Sequence, residues 1–155
     1  MSNSAMQQAI QSAFQGVRND EGGPFGAAVV KGDQIISVAH NTVLIDKDPT
    51  CHAEVNAIRM ACKVLGTHIL SDCELYTTVE PCPMCLSAIY WARIKKVYAA
   101  AQKNVAAKYG FDDVFIYEQL DLAPEARTIP CEHTQQNKES EAVFQQWKEL
   151  ERSLY

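Results

Sequence analysis

Three metal-binding side chains and one carboxylate stand at two separate points of the chain. The first is His52-Ala53-Glu54; the second, after 26 intervening residues, is Pro81-Cys82-Pro83-Met84-Cys85. If the two points share one site, the fold must carry them to one place, and the flanking sequence says how. Asp48-Pro49-Thr50 signals a turn before a helix, and Val55, Ile58, Ala61, Cys62 and Leu65 recur at helical spacing. This predicts His52 in the first turn of a helix of about four turns. Glu80-Pro81 predicts a second helix opening at Cys82 and running to about Arg93, because a proline at the first turn gives up only an N–H that would lack a helical partner. Cys82 and Cys85, at i and i+3, share a face, whereas His52 and Glu54, at i and i+2, do not. Those two converge only on an ion lying off the helix end, with the longer Glu54 side chain reaching past it.

The donor set narrows the chemistry. Structural zinc takes four protein ligands, whereas one His and two Cys leave a fourth position for a water that the metal can acidify. Thiols at the positive end of a helix dipole and beside a metal are expected to be ionised at neutral pH. Taken alone, Cys82-x-x-Cys85 would serve as a redox pair or as half of a structural zinc site. No second C-x-x-C or H-x-x-x-H exists to complete such a site, and a redox pair leaves His52 and Glu54 unexplained. The residues point to one catalytic zinc per chain, held by His52, Cys82 and Cys85, with Glu54 as the proton carrier.

The remaining sequence reads as one domain spanning 1–155. Residues from about Ser4 to Arg18 form an amphipathic helix with Ala5, Ala9, Ala13, Phe14 and Val17 inward, ended by Gly22-Gly23-Pro24. Phe25–Val30 and Gln34–Ala39 are strands joined by a hairpin at Lys31-Gly32-Asp33. Cys73–Thr77 and Lys96–Ala101 are strands on either side of the Cys82 helix, an order that implies a right-handed crossover between parallel neighbours. The expected architecture is a three-layer α/β/α fold with a mixed central sheet. Beyond Gln102, Tyr109–Gln119 reads as loop and short helix, Pro124–Pro130 as irregular and Glu139–Leu154 as helix.

Charge and cysteine content bear on partners. The net charge is −5, and the basic residues are scattered apart from Arg93, Lys95 and Lys96, which read as a solvated edge. A protein gripping a polynucleotide presents clustered cations to the phosphates, so a small-molecule substrate is favoured over nucleic acid. The first ten residues lack a basic segment followed by an apolar run, and no stretch approaches the ~20 apolar residues of a membrane span. A cytoplasmic location is expected, with Cys51, Cys62, Cys73 and Cys131 as reduced packing residues.

The H-x-E…P-C-x-x-C pattern is the signature of zinc-dependent deaminases. With Gly22-Gly23-Pro24-Phe25-Gly26-Ala27, Asn41, Asp48-Pro49-Thr50-Cys51-His52-Ala53-Glu54, Glu80-Pro81-Cys82-Pro83-Met84-Cys85, Ile89-Tyr90-Trp91-Ala92-Arg93, Gly110-Phe111-Asp112-Asp113 and a terminal Tyr155, the chain resembles the cytidine deaminase superfamily. Within it the resemblance is to the small bacterial guanine deaminases and runs nearly end to end. Cys51 departs from the small residue, such as Ala, expected there, a conservative packing change.

The resemblance implies hydrolytic deamination of a free purine base with water, guanine giving xanthine and ammonia. Guanosine, an aminotriazine, adenine or cytosine stay open as alternatives, and editing of tRNA adenosine is disfavoured by the acidic chain. Guanine's N1–H and N2 amine ask for an acceptor, which Asp113, chosen over Asp112, supplies. Asn41 offers an amide donor and acceptor, and Phe25 and Trp91 offer apolar faces for stacking. Asn41 also suits a turn at a strand end, and Trp91 a core aromatic. The resemblance further implies a homodimer whose C-terminal segment, about 130–155, is exchanged between subunits and carries Tyr155 over a partner's site. The alternative is a helix packed on its own subunit with Tyr155 in solvent.

Overall fold

The computed structural model describes residues 2–155, which divide into two compact units, one ending at Asp113 and the other running from Val114 to Tyr155. In the first unit the order is α1 (Ser2–Arg18), β1 (Gly26–Lys31), β2 (Gln34–His40), α2 (Val43–Asp46), α3 (Ala53–Leu65), β3 (Cys73–Val79), α4 (Pro83–Trp91), β4 (Lys96–Ala101) and α5 (Lys103–Lys108). The sheet order is β2-β1-β3-β4, with β1 antiparallel to both neighbours and β3 parallel to β4 across the α4 crossover. The mixed sheet expected from the sequence is therefore present.

Alternation along the strands builds the three layers. Ala27 and Val29 face one side of β1 and pack with Leu75, Cys73 and the small residues Ala53, Ala57 and Ala61 of α3, together with Ile89 of α4. Ala28 and Val30 face the other side and pack with Tyr76 and with Ala5 and Ala9 of α1. Successive side chains on a strand point to opposite faces, so one strand serves both cores. Leu75 is fully buried, and truncating such a residue to Ala costs ~2–5 kcal/mol.

α1 corrects part of the sequence reading. Ala5, Ala9 and Ala13 are buried as expected, but Phe14 and Val17 are 59% and 48% exposed. The buried line is a narrow i, i+4 row of alanines, which lets the helix sit close to the sheet. Phe14, turned about 100° from Ala13, falls outside that row and lies under the Arg18 guanidinium, 5.7 Å from its ring centroid.

The second unit holds α6 (Val114–Leu120), a 3-10 turn at Pro124–Ala126 and α7 (Asn137–Glu149). Gln119 ties its first half together, its carbonyl accepting from Arg127 Nε at 3.1 Å and its Oε1 from Thr128 N at 2.8 Å. Tyr155 meets Trp147 edge-on at 6.3 Å. None of residues 114–155 is buried, and Ile129 and Leu154 are each 85% exposed. Cys131 is exposed too, unlike the packing residue expected.

Candidate metal centre and base pocket

The metal cluster is built at two helix starts. His52 is the N-cap of α3, in extended conformation, one residue earlier than the first-turn position expected. Cys82 is the N-cap of α4, with Pro83 at the first helical position and the Cys85 N–H directed at Cys82 Sγ, 3.5 Å away. Because His52 stands before the helix and Glu54 within it, the two escape the i, i+2 divergence.

His52 Nδ1 lies 3.5 Å from Cys82 Sγ and 3.5 Å from Cys85 Sγ, and the three ligand atoms all fall within 4.8 Å of one another. Zinc held tetrahedrally by one nitrogen and two sulfurs at ordinary bond lengths requires N···S separations of about 3.6 Å. The donors fit one zinc ion. The hydrogen bond from Cys85 holds the Cys82 thiol down to about 4, and the same bond together with burial pushes Cys85 up. A bound dication would favour the ionised form of both thiols, as expected from the sequence. His52 is pushed up, chiefly by its hydrogen bond with Cys82.

Glu54 is 5% exposed, and burial pushes its carboxyl up from the usual carboxylate range. Its partner Thr77, on the α3 side of β3, escaped the sequence reading. Thr77 Oγ1 lies 3.2 Å from Glu54 Oε1 and 3.0 Å from the Val79 carbonyl. The hydroxyl can donate to an ionised Glu54, or accept from a protonated Glu54 while donating to Val79, so it satisfies both states of a proton carrier. Strand alternation sets Thr77 on the same face as Leu75. That was the available signal, but threonine in a strand is too ordinary to single out.

Asn41 follows the end of β2 and is buried. Its Oδ1 accepts from Gly23 N and Val43 N, each at 3.1 Å. The amide acceptor is thereby committed to backbone, which leaves the Nδ2 amine as the end for a ligand. Gly22 makes this approach possible, since a Cβ there would lie 2.3 Å from Asn41 Oδ1. Phe25 packs at the rim of the α3-side core and receives Phe111 edge-on, with centroids 5.1 Å apart. Phe111 lies in the Gly110-Phe111-Asp112-Asp113 motif, in which the sequence singles out only a carboxylate.

Asn56, also missed, joins these parts. Its Nδ2 lies 3.0 Å from the His40 carbonyl, 2.8 Å from Thr42 Oγ1 and 3.3 Å from the Cys51 carbonyl, linking the end of β2 to the metal helix. Glu80 Oε2 accepts from Lys103 N at 2.7 Å and so tethers the start of α5. Asp113 is half-buried. Burial first, and then the negative charge of Cys82, pushes its carboxyl up, while Lys103 opposes the shift. Asp112, its neighbour, is exposed. Trp91 closes α4 at the end opposite Cys82, about 13 Å along the axis, and is 67% exposed. Tyr155 belongs to the second unit.

Residues 1–101 match the family of cytidine and deoxycytidylate deaminase zinc-binding regions. A guanine deaminase of Bacillus subtilis is 56% identical over 125 residues, covering 81% of this chain and 80% of that protein. A tRNA-specific adenosine deaminase of Aquifex aeolicus is 40% identical over 131 residues, 84% of each chain. The crystal structure of Bacillus subtilis guanine deaminase superposes with a TM-score of 0.90 at 50% identity, covering 95% of this chain and 93% of that one.

Proposed function

The chain belongs to the cytidine and deoxycytidylate deaminase zinc-binding family, and from that membership we propose that it hydrolyses guanine to xanthine and ammonia. The observation that carries the chemistry is a buried carboxylate, Glu54, beside a three-donor metal cluster of which it is not a member. The Bacillus subtilis likeness, extending over 95% of the chain and so beyond the family's shared residues, supports guanine as the base.

Zinc bound by His52, Cys82 and Cys85 supplies a Lewis acid that lowers the pKa of water. Glu54 takes a proton from the attacking water and gives it to the ring nitrogen beside C2, as oxygen bonds to that carbon. It then carries the second water proton to the amine, the C2–N bond breaks, and ammonia leaves as the C2 carbonyl forms. Burial, which raises the Glu54 carboxyl, makes it hold a proton more readily than an exposed carboxylate, as a proton carrier must. Asp113 accepts from the N1–H edge, the Asn41 amine donates to an acceptor on the base, and Phe25 lies against its face. Trp91, at the far end of α4, serves as a stacking face only for a site completed by a second protomer.

The same proposal includes a homodimer in which the C-terminal segment, about 130–155, of a single zinc domain is exchanged, Tyr155 closing a partner's site. The exposed apolar residues of α6 and α7 support it, Phe115 and Phe144 among them. We place the protein in the cytoplasm, in guanine breakdown, where six free cysteines stay reduced. Ammonia release from guanine, guanosine, adenine, cytosine, an aminotriazine and tRNA tests the reading. Guanine is expected to give the highest kcat/KM, and faster release from tRNA would overturn the choice of substrate.

A further inference from the structure

We propose that His40 is a positioning residue for Asn41, acting through Glu21 to aim the Asn41 amine at the base; this rests on the reading of Asn41 as a substrate-binding residue. His40 ends β2, and its ring bridges two elements. Nε2 lies 2.5 Å from Glu21 Oε2, and Nδ1 lies 2.9 Å from Ser12 Oγ on α1. The ring rests on Gly16, where a Cβ would come within 2.5 Å of His40 Cδ2, so α1 leaves room for the imidazole only because it has a glycine there.

Glu21 is the point on which the Asn41 amide depends. Its N–H donates to the Gly16 carbonyl at 2.9 Å, and its own carbonyl accepts from Leu44 N and Ile45 N, each at 3.1 Å. Two residues after Glu21 stands Gly23, and just before Leu44 stands Val43. These are the two backbone donors that fix Asn41 Oδ1. Both donors therefore belong to segments gripped by Glu21, and the Glu21 carboxylate is held by His40, the residue next to Asn41. The His40 hydrogen bond holds the Glu21 carboxyl below the usual carboxylate range, as a donor to the ionised form should. On its other side the His40 carbonyl receives Asn56 of the metal helix. One residue thus ties the segment that orients the base to the helix that carries His52 and Glu54.

Because Asn41 would bind the base alike in ground and transition states, loss of its aim appears in KM and spares kcat. The test is a double-mutant cycle on the zinc-loaded protein with guanine as substrate. His40→Ala is expected to raise KM about tenfold with kcat within about twofold, and to add nothing in an Asn41→Ala background, because a residue acting through another is silent once that other is gone. His40→Gln, which offers Glu21 a side-chain amide N–H in place of the imidazole donor, is expected to restore most of the loss. Should His40→Ala fail to fold, Ser12→Ala and Glu21→Gln remove little volume and enter the same cycle, each expected to raise KM about threefold alone and not at all on Asn41→Ala. A factor that persists undiminished beside Asn41→Ala, or an unchanged KM in the single variants, overturns the relay while leaving Asn41 as a substrate residue. An unchanged KM in Asn41→Ala itself overturns both.

Discussion

Thr77 on β3 places its hydroxyl 3.2 Å from Glu54 Oε1 in the first turn of α3, joining the centre of the sheet to the proposed proton carrier. The hydroxyl also reaches the Val79 carbonyl, so its single hydrogen has somewhere to go in each protonation state of Glu54. Thr77→Val keeps the shape and removes the hydrogen bond. We expect kcat to fall about tenfold with KM little changed, since proximity and orientation of the carrier are what is lost. Thr77→Ser should recover most of the rate. Equal rates for the Val and Ser variants would show that the hydroxyl plays no part.

Asp113 and Asp112 separate by environment. Asp113 is half-buried and within electrostatic reach of Cys82, whereas Asp112 is exposed. Asp113→Ala should lower kcat/KM for guanine about a hundredfold or more, because a site built to pair a donor pays heavily when the acceptor is missing. Asp112→Ala should stay near wild type. The reverse pattern in a rate comparison would show that Asp112, and not Asp113, is the acceptor.

The turn leading to the metal helix gives a pH signature. Asp48 Oδ1 accepts from Thr50 Oγ1 and Thr50 N, each at 2.7 Å, and these bonds, the side-chain one first, hold its carboxyl below the usual value. A folded pKa below the unfolded one contributes stability that is present above about pH 4 and is lost as pH falls through the folded pKa. Urea unfolding of wild type and Asp48→Ala should therefore differ at pH 7, and the difference should shrink in acid. A gap that is constant with pH would mean the charge is irrelevant and only packing was lost.

The metal site was legible because its information is local. Two helix-start signals and a Pro-flanked Cys pair lie within a few residues of the ligands, and helix starts are set by short-range rules. The strands, the β1–β2 hairpin and the parallel β3–β4 pair followed from alternation and turn residues in the same way, whereas the antiparallel pairing of β1 with β3 did not, since no short-range signal specifies it. Thr77, Asn56 and the Ser12–His40–Glu21 relay were not legible, since each joins residues 10 or more apart in sequence through contacts that only the assembled sheet creates. Phe14 shows the complementary failure: helical periodicity marks an apolar side but cannot say that a row of alanines will occupy all of the contact. α2 and α5, helices of four and six residues, fall below the length at which periodicity carries a signal.

Exchange of the C-terminal segment can be read by complementation. Deleting Tyr155 should weaken guanine turnover while zinc content stays at one per chain, because the loss is of closure and water exclusion. Mixing Glu54→Gln chains with Tyr155-deleted chains should regain activity above the sum of the two, as a mixed dimer joins an intact Glu54 to an intact Tyr155. Mixed dimers that form without any such gain would exclude a Tyr155 acting across subunits.

Glu54 as carrier and not ligand is the claim on which the rest depends, and zinc content and turnover measured on one preparation of Glu54→Gln test it most directly. Gln keeps the size and hydrogen-bonding shape of the side chain but cannot carry a proton. We expect about one zinc per chain, as His52, Cys82 and Cys85 suffice to hold it, with kcat for guanine reduced about 10³-fold or more. Loss of zinc along with activity would make Glu54 part of the metal's own ligand set, and full zinc with near wild-type turnover would remove it from the chemistry altogether.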